Sequence, residues 1–284
     1  MEKPILKVED LYYVYGNGKP ALNGVSVDIY EGEKIAIIGS NGSGKSTFFL
    51  NVNGVFTPEQ GKIIYRDTVI NKKNLKELRK NIGIVFQDAD NQIIASTVMA
   101  EVAFGPMNLK LPKEEVKKRV EEALAYMNIS DFKDRPPHYL SGGEKKRVSI
   151  ADIIAMKSEI IIFDEPTAAL DPLNAQMLEE VLDKLGLENK TMLISTHDVD
   201  FAYRWAERAI VFCNGKIIAD GTPLEIFKNH KILKQANLKQ PIMLEVYESL
   251  VEKRFLEDTK AYPKNTEELK KLLEKQEVVL GALA

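Results

Sequence analysis

The stretch KIAIIGSNGSGKST, residues 34–47, decides the fold. Its first half is a short apolar run, rich in β-branched residues and too brief for a helix, which reads as a buried parallel strand. Its second half satisfies G-x-x-x-x-G-K-[ST] from Gly39 to Ser46, directly after a strand as that pattern requires. Glycines let the backbone of Gly39, Ser40, Asn41, Gly42, Ser43 and Gly44 curl so that successive N–H groups face phosphate oxygens. Lys45 would reach the β- and γ-phosphates of a nucleoside triphosphate and Ser46 would ligate Mg²⁺, with Thr47 closing the run. A flexible Gly/Ser loop is the bland alternative, and the preceding strand argues against it.

Working outward, VSVDIY (25–30) alternates Val25, Val27 and Ile29 against polar neighbours and turns at Glu31-Gly32, so the first thirty residues read as β structure. IGIVFQ (82–87) and EIIIFDE (159–165) repeat the character of the first buried strand, and TMLIST (191–196) is a weaker fourth. Charged amphipathic segments lie between them, such as PKEEVKKRVEEALAYM, which opens with Pro112 as helices often do. Buried strands alternating with helices predict an α/β domain with a mostly parallel sheet. Residues 88–152 lack a central strand and read as a helical insertion. TPLE (222–225) is a capping box with Pro223 in the first helical position, and Pro241 and YPKNTEE punctuate two further helices. The expected organisation is a nucleotide-binding domain over 1–220 and a small helical C-terminal domain over 221–284.

The second strand delivers chemistry. EIIIFDE brings Asp164 to a polar strand end, where a carboxylate can hold Mg²⁺ through water; Glu165, pointing the other way along the pleat, could polarise an attacking water. Gln87 ends another strand, where its amide could touch the metal or the water; by spacing alone it reads equally as an ordinary loop glutamine. His197, in ISTHD, follows a strand at the same predicted sheet edge, where a lone histidine is more often structural. Tyr15 could stack on adenine, with Tyr12 and Tyr13 as close competitors and strand packing as the plain alternative. Finally, LSGGE (140–144) places Ser141, Gly142 and Gly143 in front of a helix, a start with exposed N–H groups that suits an anion.

Composition narrows the class. With 284 residues and 44% hydrophobic residues the chain can bury a substantial core plus an appendage, and a formal charge of −3 gives no basic nucleic-acid surface. The single cysteine, Cys213, cannot form an internal disulfide and fits a reducing cytosol. The polar opening MEKPILKVED is no signal peptide, and no run approaches the roughly 18 apolar residues of a membrane span.

Taken together, GSNGSGKST, FQ, LSGGE, IIIFDEP, AALD and STHD, in this order, resemble the ATP-binding-cassette ATPases over roughly residues 5–230. The resemblance implies a P-loop cassette with a mostly parallel sheet, an N-terminal antiparallel β part and a helical subdomain. It makes Gln87 and His197 the glutamine loop and the histidine switch, beside Glu165 as the catalytic carboxylate. It further implies that LSGGE closes over the γ-phosphate of an ATP held by a second chain. Ser141, Gly142 and Gly143 would thus serve a sandwiched ATP, with Asp171 of AALD (168–171) linking the two sites. Glu144 stands where glutamine is commoner.

The chain carries one phosphate loop, no membrane span and no long coiled coil between its two ATP motifs. Those features leave a separate motor at the cytoplasmic face of a membrane. DADNQIIASTVMAEVAFGPMNL (88–109) and GTPLEIF (221–227) resemble energy-coupling-factor importers, apart from Ala89 where many of them have proline. HDVDFAYRWAERAIVF (197–212) looks most like the cobalt-importer ATPases of that group (CbiO-type). The resemblance implies ATP and Mg²⁺ as cofactors and integral membrane transporter subunits as partners. It also implies a second ATPase subunit, a homodimer being favoured, with the C-terminal helices helping to pair the two. No nucleic-acid partner is expected. His138, His197, His230 and Cys213 form no ligand cluster, so direct cobalt binding by this chain is not expected either. Alternatives are a vitamin-importer ATPase working as a heterodimer, and a soluble nucleic-acid-linked cassette ATPase.

Overall fold

In the computed structural model, residues 3–283 apart from 169 and 259 are described, with side chains to 275. An antiparallel layer begins with β1 (Leu6–Val14) and β2 (Pro20–Ile29). Next come β3 (Lys34–Ile38), α1 (Lys45–Val52), β4 (Gln60–Tyr65), β5 (Thr68–Val69), α2 (Leu75–Asn81) and β6 (Ile82–Val85). Three longer helices, α3 (Val98–Asn108), α4 (Lys113–Tyr126) and α5 (Gly142–Met156), precede β7 (Ile160–Asp164), α6 (Pro172–Leu187), β8 (Thr191–Thr196) and α7 (Val199–Trp205). A hairpin of β9 (Arg208–Cys213) and β10 (Lys216–Gly221) leads to α8 (Pro223–Phe227), α9 (His230–Ala236), α10 (Ile242–Glu252) and α11 (Thr266–Leu283).

The strands form two sheets, one ordered β2-β1-β4-β5 and one ordered β10-β9-β3-β8-β7-β6. β3 lies parallel between β8 and β9, β7 lies parallel between β8 and β6, and only β10 runs antiparallel. The central strands are rich in apolar residues because both of their faces are buried. Ile35 and Ile37 of β3, with Ile160 and Ile162 of β7, join the core shared with α1 and the antiparallel sheet. Ala36, Ile38, Ile161 and Phe163 face the opposite core, built with α3 to α7 and with Ile226, Phe227, Leu233 and Leu244 from the C-terminal helices. The mostly parallel sheet, the antiparallel N-terminal part and the helices between β6 and β7 agree with the architecture that the resemblance implies.

Three expectations need correction. The strand expected over 82–87 stops at Val85, so Phe86 and Gln87 belong to the following loop. The expected helical insertion overshoots residue 152, because α5 runs on to Met156 before Lys157 closes it in the left-handed region at φ 57°. Pro112 caps α4 rather than forming its first residue. In each case hydrophobic pattern located the element and local hydrogen bonding set its end.

Candidate functional site

The phosphate loop hangs from the end of β3, and its shape depends on glycine at two places. Gly39 has φ 149° and a Cβ there would lie 2.3 Å from the Phe212 carbonyl oxygen; Gly44 has φ 112° and would meet the Ala21 carbonyl oxygen at 2.7 Å. Gly44 then starts α1 with no side-chain cap, so the helix's first N–H groups are left to the loop's concave side. Lys45 folds back, its ammonium donating to the carbonyls of Gly39 at 2.8 Å and Ser40 at 3.3 Å. Burial lowers its pKa, opposed by the carboxylates of Glu165 and Asp164. Among the described residues Ser43 Oγ is buried with no hydrogen-bond partner, a polar atom inside the cradle. These features fit a polyphosphate, which supplies acceptors to uncapped N–H groups.

Around this loop a cavity of about 410 Å³ is lined by Tyr15, Lys19, Asn41 to Thr47, Gln87, Glu165 and His197. The parallel order explains the convergence: the phosphate loop, Gln87, Asp164 and His197 all follow or end strands at one sheet edge. The Tyr15 hydroxyl bonds Thr47 Oγ1 at 2.7 Å, and its ring meets Tyr13 and Phe56 edge-on. Of the three tyrosines only Tyr15 lines the cavity: Tyr13 stacks on Phe56, and Tyr12 lies against Gly24.

Asp164 ends β7 as expected, and Glu165 is aimed differently from the expectation. Glu165 lies beyond the end of β7 with φ 45°, a left-handed turn, so the pleat does not orient it. Its backbone N–H donates to the Ser195 carbonyl and to Ser195 Oγ at 2.9 Å, and that hydroxyl donates to Asp164 Oδ1 at 2.5 Å. Ser195 thus fixes both carboxylates, a role the sequence reading missed; its signal was a polar residue at the end of an apolar strand, in register with Asp164. Glu165 Oε2 lies 2.7 Å from His197 Nδ1, and Oε1 lies 4.0 Å from Lys45 Nζ. A carboxylate held between a lysine and a histidine can orient a water for attack. Ser46, Gln87 and Asp164 together offer only oxygen ligands, the hard donors that suit Mg²⁺.

The second group of predicted residues is not in this cavity. Ser141, Gly142, Gly143 and Asp171 lie at the starts of α5 and α6, and none of them lines it. The start of α5 is also less bare than expected. Ser141 Oγ accepts from the Glu144 N–H, and the Glu144 carboxylate accepts from the Ser141 N–H at 2.7 Å, a capping box. S-G-G-E spells that box in the sequence, and it leaves the N–H groups of Gly142 and Gly143 as the open donors. The Ser141 backbone bond holds the Glu144 carboxyl below the usual carboxylate range. Asp171 caps α6 through the Asn174 N–H at 2.9 Å and accepts from the Asn174 side chain at 2.7 Å. A Cβ on Gly143 would sit 2.6 Å from that same Asn174 amide, so α5 and α6 meet there. Of the run AALD, Ala169 lies outside the described residues.

Comparison with known proteins agrees with this geometry. The ABC transporter family profile matches residues 22–168. The energy-coupling factor transporter ATP-binding protein EcfA of Methanocaldococcus jannaschii is 45% identical over 251 residues, covering 88% of this chain and 90% of that protein. EcfA2 of Methanospirillum hungatei JF-1 is 48% identical over 250 residues, covering 87% of this chain. The chain spans 63% of the length of that relative and 59% of an ABC transporter ATP-binding protein of Methanosarcina mazei. Among solved structures, CbiO1 of Clostridium perfringens, part of the ABC transporter complex CbiONQ, matches with TM-score 0.74 and 40% identity, over 88% of this chain and all 100% of that one.

Proposed function

This chain belongs to the ABC transporter family, and from that premise we propose that it is the ATP-hydrolysing subunit of an energy-coupling-factor importer. The observation that carries the reading is the convergence of the phosphate loop, Gln87, Glu165 and His197 on one cavity. MgATP would lie along the loop, with Lys45 on the β- and γ-phosphates and Tyr15 beside the base. Mg²⁺, held by Ser46, Asp164 and Gln87, would neutralise charge on the phosphates. Glu165 orients the attacking water, and His197, bonded to it, senses the γ-phosphate. Ser141, Gly142 and Gly143 lie outside the cavity of their own chain, which supports a site completed by a second copy. On this reading two chains sandwich two ATP molecules, Asp171 links the sites, and the C-terminal helices of 221–284 assist pairing.

The membrane partner would contact the face around the glutamine loop. Ile94 in the loop before α3, and Phe104 and Met107 on α3, are exposed apolar side chains at 71%, 49% and 63%. Among the described residues no helix is long and apolar enough to cross a membrane, so transport on this reading is done by partner subunits on whose cytoplasmic side the chain sits. Cobalt is the proposed cargo, supported by the likeness to CbiO1; the described residues hold no His/Cys/Asp/Glu cluster for a metal, and direct cobalt binding by this chain and a nucleic-acid partner form no part of the proposal. A second reading, a vitamin-importer motor paired with a different ATPase, draws on the EcfA relatives, whose names specify no metal.

Glu165→Gln tests the core of the proposal. The variant keeps the hydrogen-bonding shape and loses the base, so it should bind MgATP, dimerise on a sizing column and turn over at least a hundredfold more slowly. A variant that hydrolyses ATP at the wild-type rate, or stays monomeric with ATP, overturns the sandwich mechanism. Co-purification from native membranes separates the cargo readings: membrane subunits with no second ATPase support the dedicated importer, and an equimolar second ATPase supports the shared one.

A further inference from the structure

The start of the α5 helix and the glutamine loop are joined within one chain by contacts that the catalytic reading leaves unused. Lys146 is only 4% exposed, yet it has no carboxylate within ion-pair distance among the described residues. Its ammonium donates instead to two consecutive backbone carbonyls, Phe86 at 2.7 Å and Gln87 at 2.8 Å. Burying an ammonium against neutral acceptors is costly, and it persists only where the geometry of those acceptors is well satisfied. Two neighbours on α5 bind the same loop. Lys145 Nζ lies 2.6 Å from Asp90 Oδ1. Gln92 accepts from the Phe86 N–H at 3.2 Å through its side-chain oxygen and donates to the Ser149 carbonyl at 2.9 Å through its amide nitrogen.

Resting on the ATPase reading above, we infer that Lys146 is the positioning residue for Gln87. Its two carbonyl bonds make the glutamine loop and the N-terminal turns of α5 a single moving body. Gln87 leaves β6 two residues after the last ladder bond of Val85, so the strand alone does not set its direction. The Lys146 bonds fix the carbonyls on either side of the Gln87 Cα, and with them the direction of the Gln87 side chain. A ligand that grips the open N–H groups of Gly142 and Gly143 therefore shifts Gln87 through Lys146, one turn along the same helix. Closure of a second chain on α5 is in this way reported to the metal and water side of the first cavity.

The test is a double-mutant cycle on the full-length chain with MgATP. Lys146→Met keeps the length and removes the donors; it should lower kcat at least tenfold while KM for ATP stays within threefold. Lys146→Arg restores the donors and should recover kcat to within threefold of wild type. Gln87→Ala should also lower kcat, and adding Lys146→Met to it should cost less than threefold more, because both act through the same side chain. A purely structural lysine gives additive losses, and additive losses overturn the inference, as does a Lys146→Met enzyme with wild-type kcat. If Lys146→Met does not fold, Lys146→Leu, which also lacks donors, takes its place in the cycle under the same criteria. Absence of turnover in the wild-type chain sinks the ATPase reading and this inference with it, whereas wild-type turnover with additive losses sinks this inference alone.

Discussion

Asp152, on α5, is a buried carboxylate that the proposed chemistry does not use, and it makes stability depend on pH in a calculable way. Its Oδ1 finds no hydrogen-bond partner among the described residues, and the Gln92 amide reaches Oδ2 only at 3.5 Å. Burial lifts the carboxyl from an ordinary 3.8 to about 7, and the nearby Glu101 carboxylate, 2% exposed, pushes the same way. A carboxyl whose folded pKa is raised favours folding while protonated, so its contribution is fully present below pH 3.8 and is lost as pH rises to about 7. Asp152→Asn removes the ionisation and keeps the size. At about 1.4 kcal/mol per tenfold change in proton affinity, the variant's gain over wild type should grow by about 2–3 kcal/mol between pH 5 and pH 8.5. Most of that growth should fall below pH 7. Urea unfolding followed by far-UV circular dichroism, at matched ionic strength, reads the difference directly; comparing it across pH cancels whatever the substitution does to packing. A wild-type minus variant difference that stays flat within ~0.5 kcal/mol across this range refutes the argument and means that the carboxylate is solvated or paired in solution.

Three further substitutions probe the site and its supports. Gly39→Ala puts a Cβ 2.3 Å from the Phe212 carbonyl oxygen at a left-handed position, so it should weaken ATP binding more than tenfold and cost about 2 kcal/mol of stability, read by calorimetry and chemical unfolding. Ser195→Ala removes the hydroxyl that holds Asp164 and the Glu165 N–H; kcat should fall about tenfold and the Mg²⁺ needed for half-maximal rate should rise, while unchanged Mg²⁺ dependence would leave Ser195 without the bridging role. Glu144→Ala opens the capping box at the start of α5 and should cost about 1 kcal/mol, with Glu144→Gln retaining most of it; equal stability of Ala and wild type would show the box to be idle.

Much of the fold was legible because strands buried on both faces are mostly apolar, which marks β3, β6 and β7 directly in the sequence and β8, with its polar ends, more weakly. The phosphate loop was legible for a related reason: few residue types besides glycine tolerate the φ of 149° at Gly39 and 112° at Gly44, so the motif's spelling is its geometry. Capping boxes are local in the same sense: T-P-L-E and S-G-G-E each spell one in four consecutive residues. Tyr15 could not be separated from Tyr12 and Tyr13 by sequence, because only the structure shows that β1 stops at Val14, with Tyr12 and Tyr13 paired to β2 and Tyr15 beyond its end.

Contacts near in the chain and total burial are enough to set the strands, the helix starts and the phosphate-binding backbone, and all of these can be read from the order of residues. Tertiary structure alone decided what long-range pairing brings together. Ser195 reaches Asp164 because β7 and β8 lie in register, Glu165 meets His197 across the same pair of strands, and Lys146 finds the Phe86 and Gln87 carbonyls some sixty residues away. Hydrogen bonds between groups so far apart leave no period and no spacing in the chain, since any polar residue at those positions satisfies the local pattern equally well. Only the packed sheet and the helix laid against it choose serine, histidine and lysine.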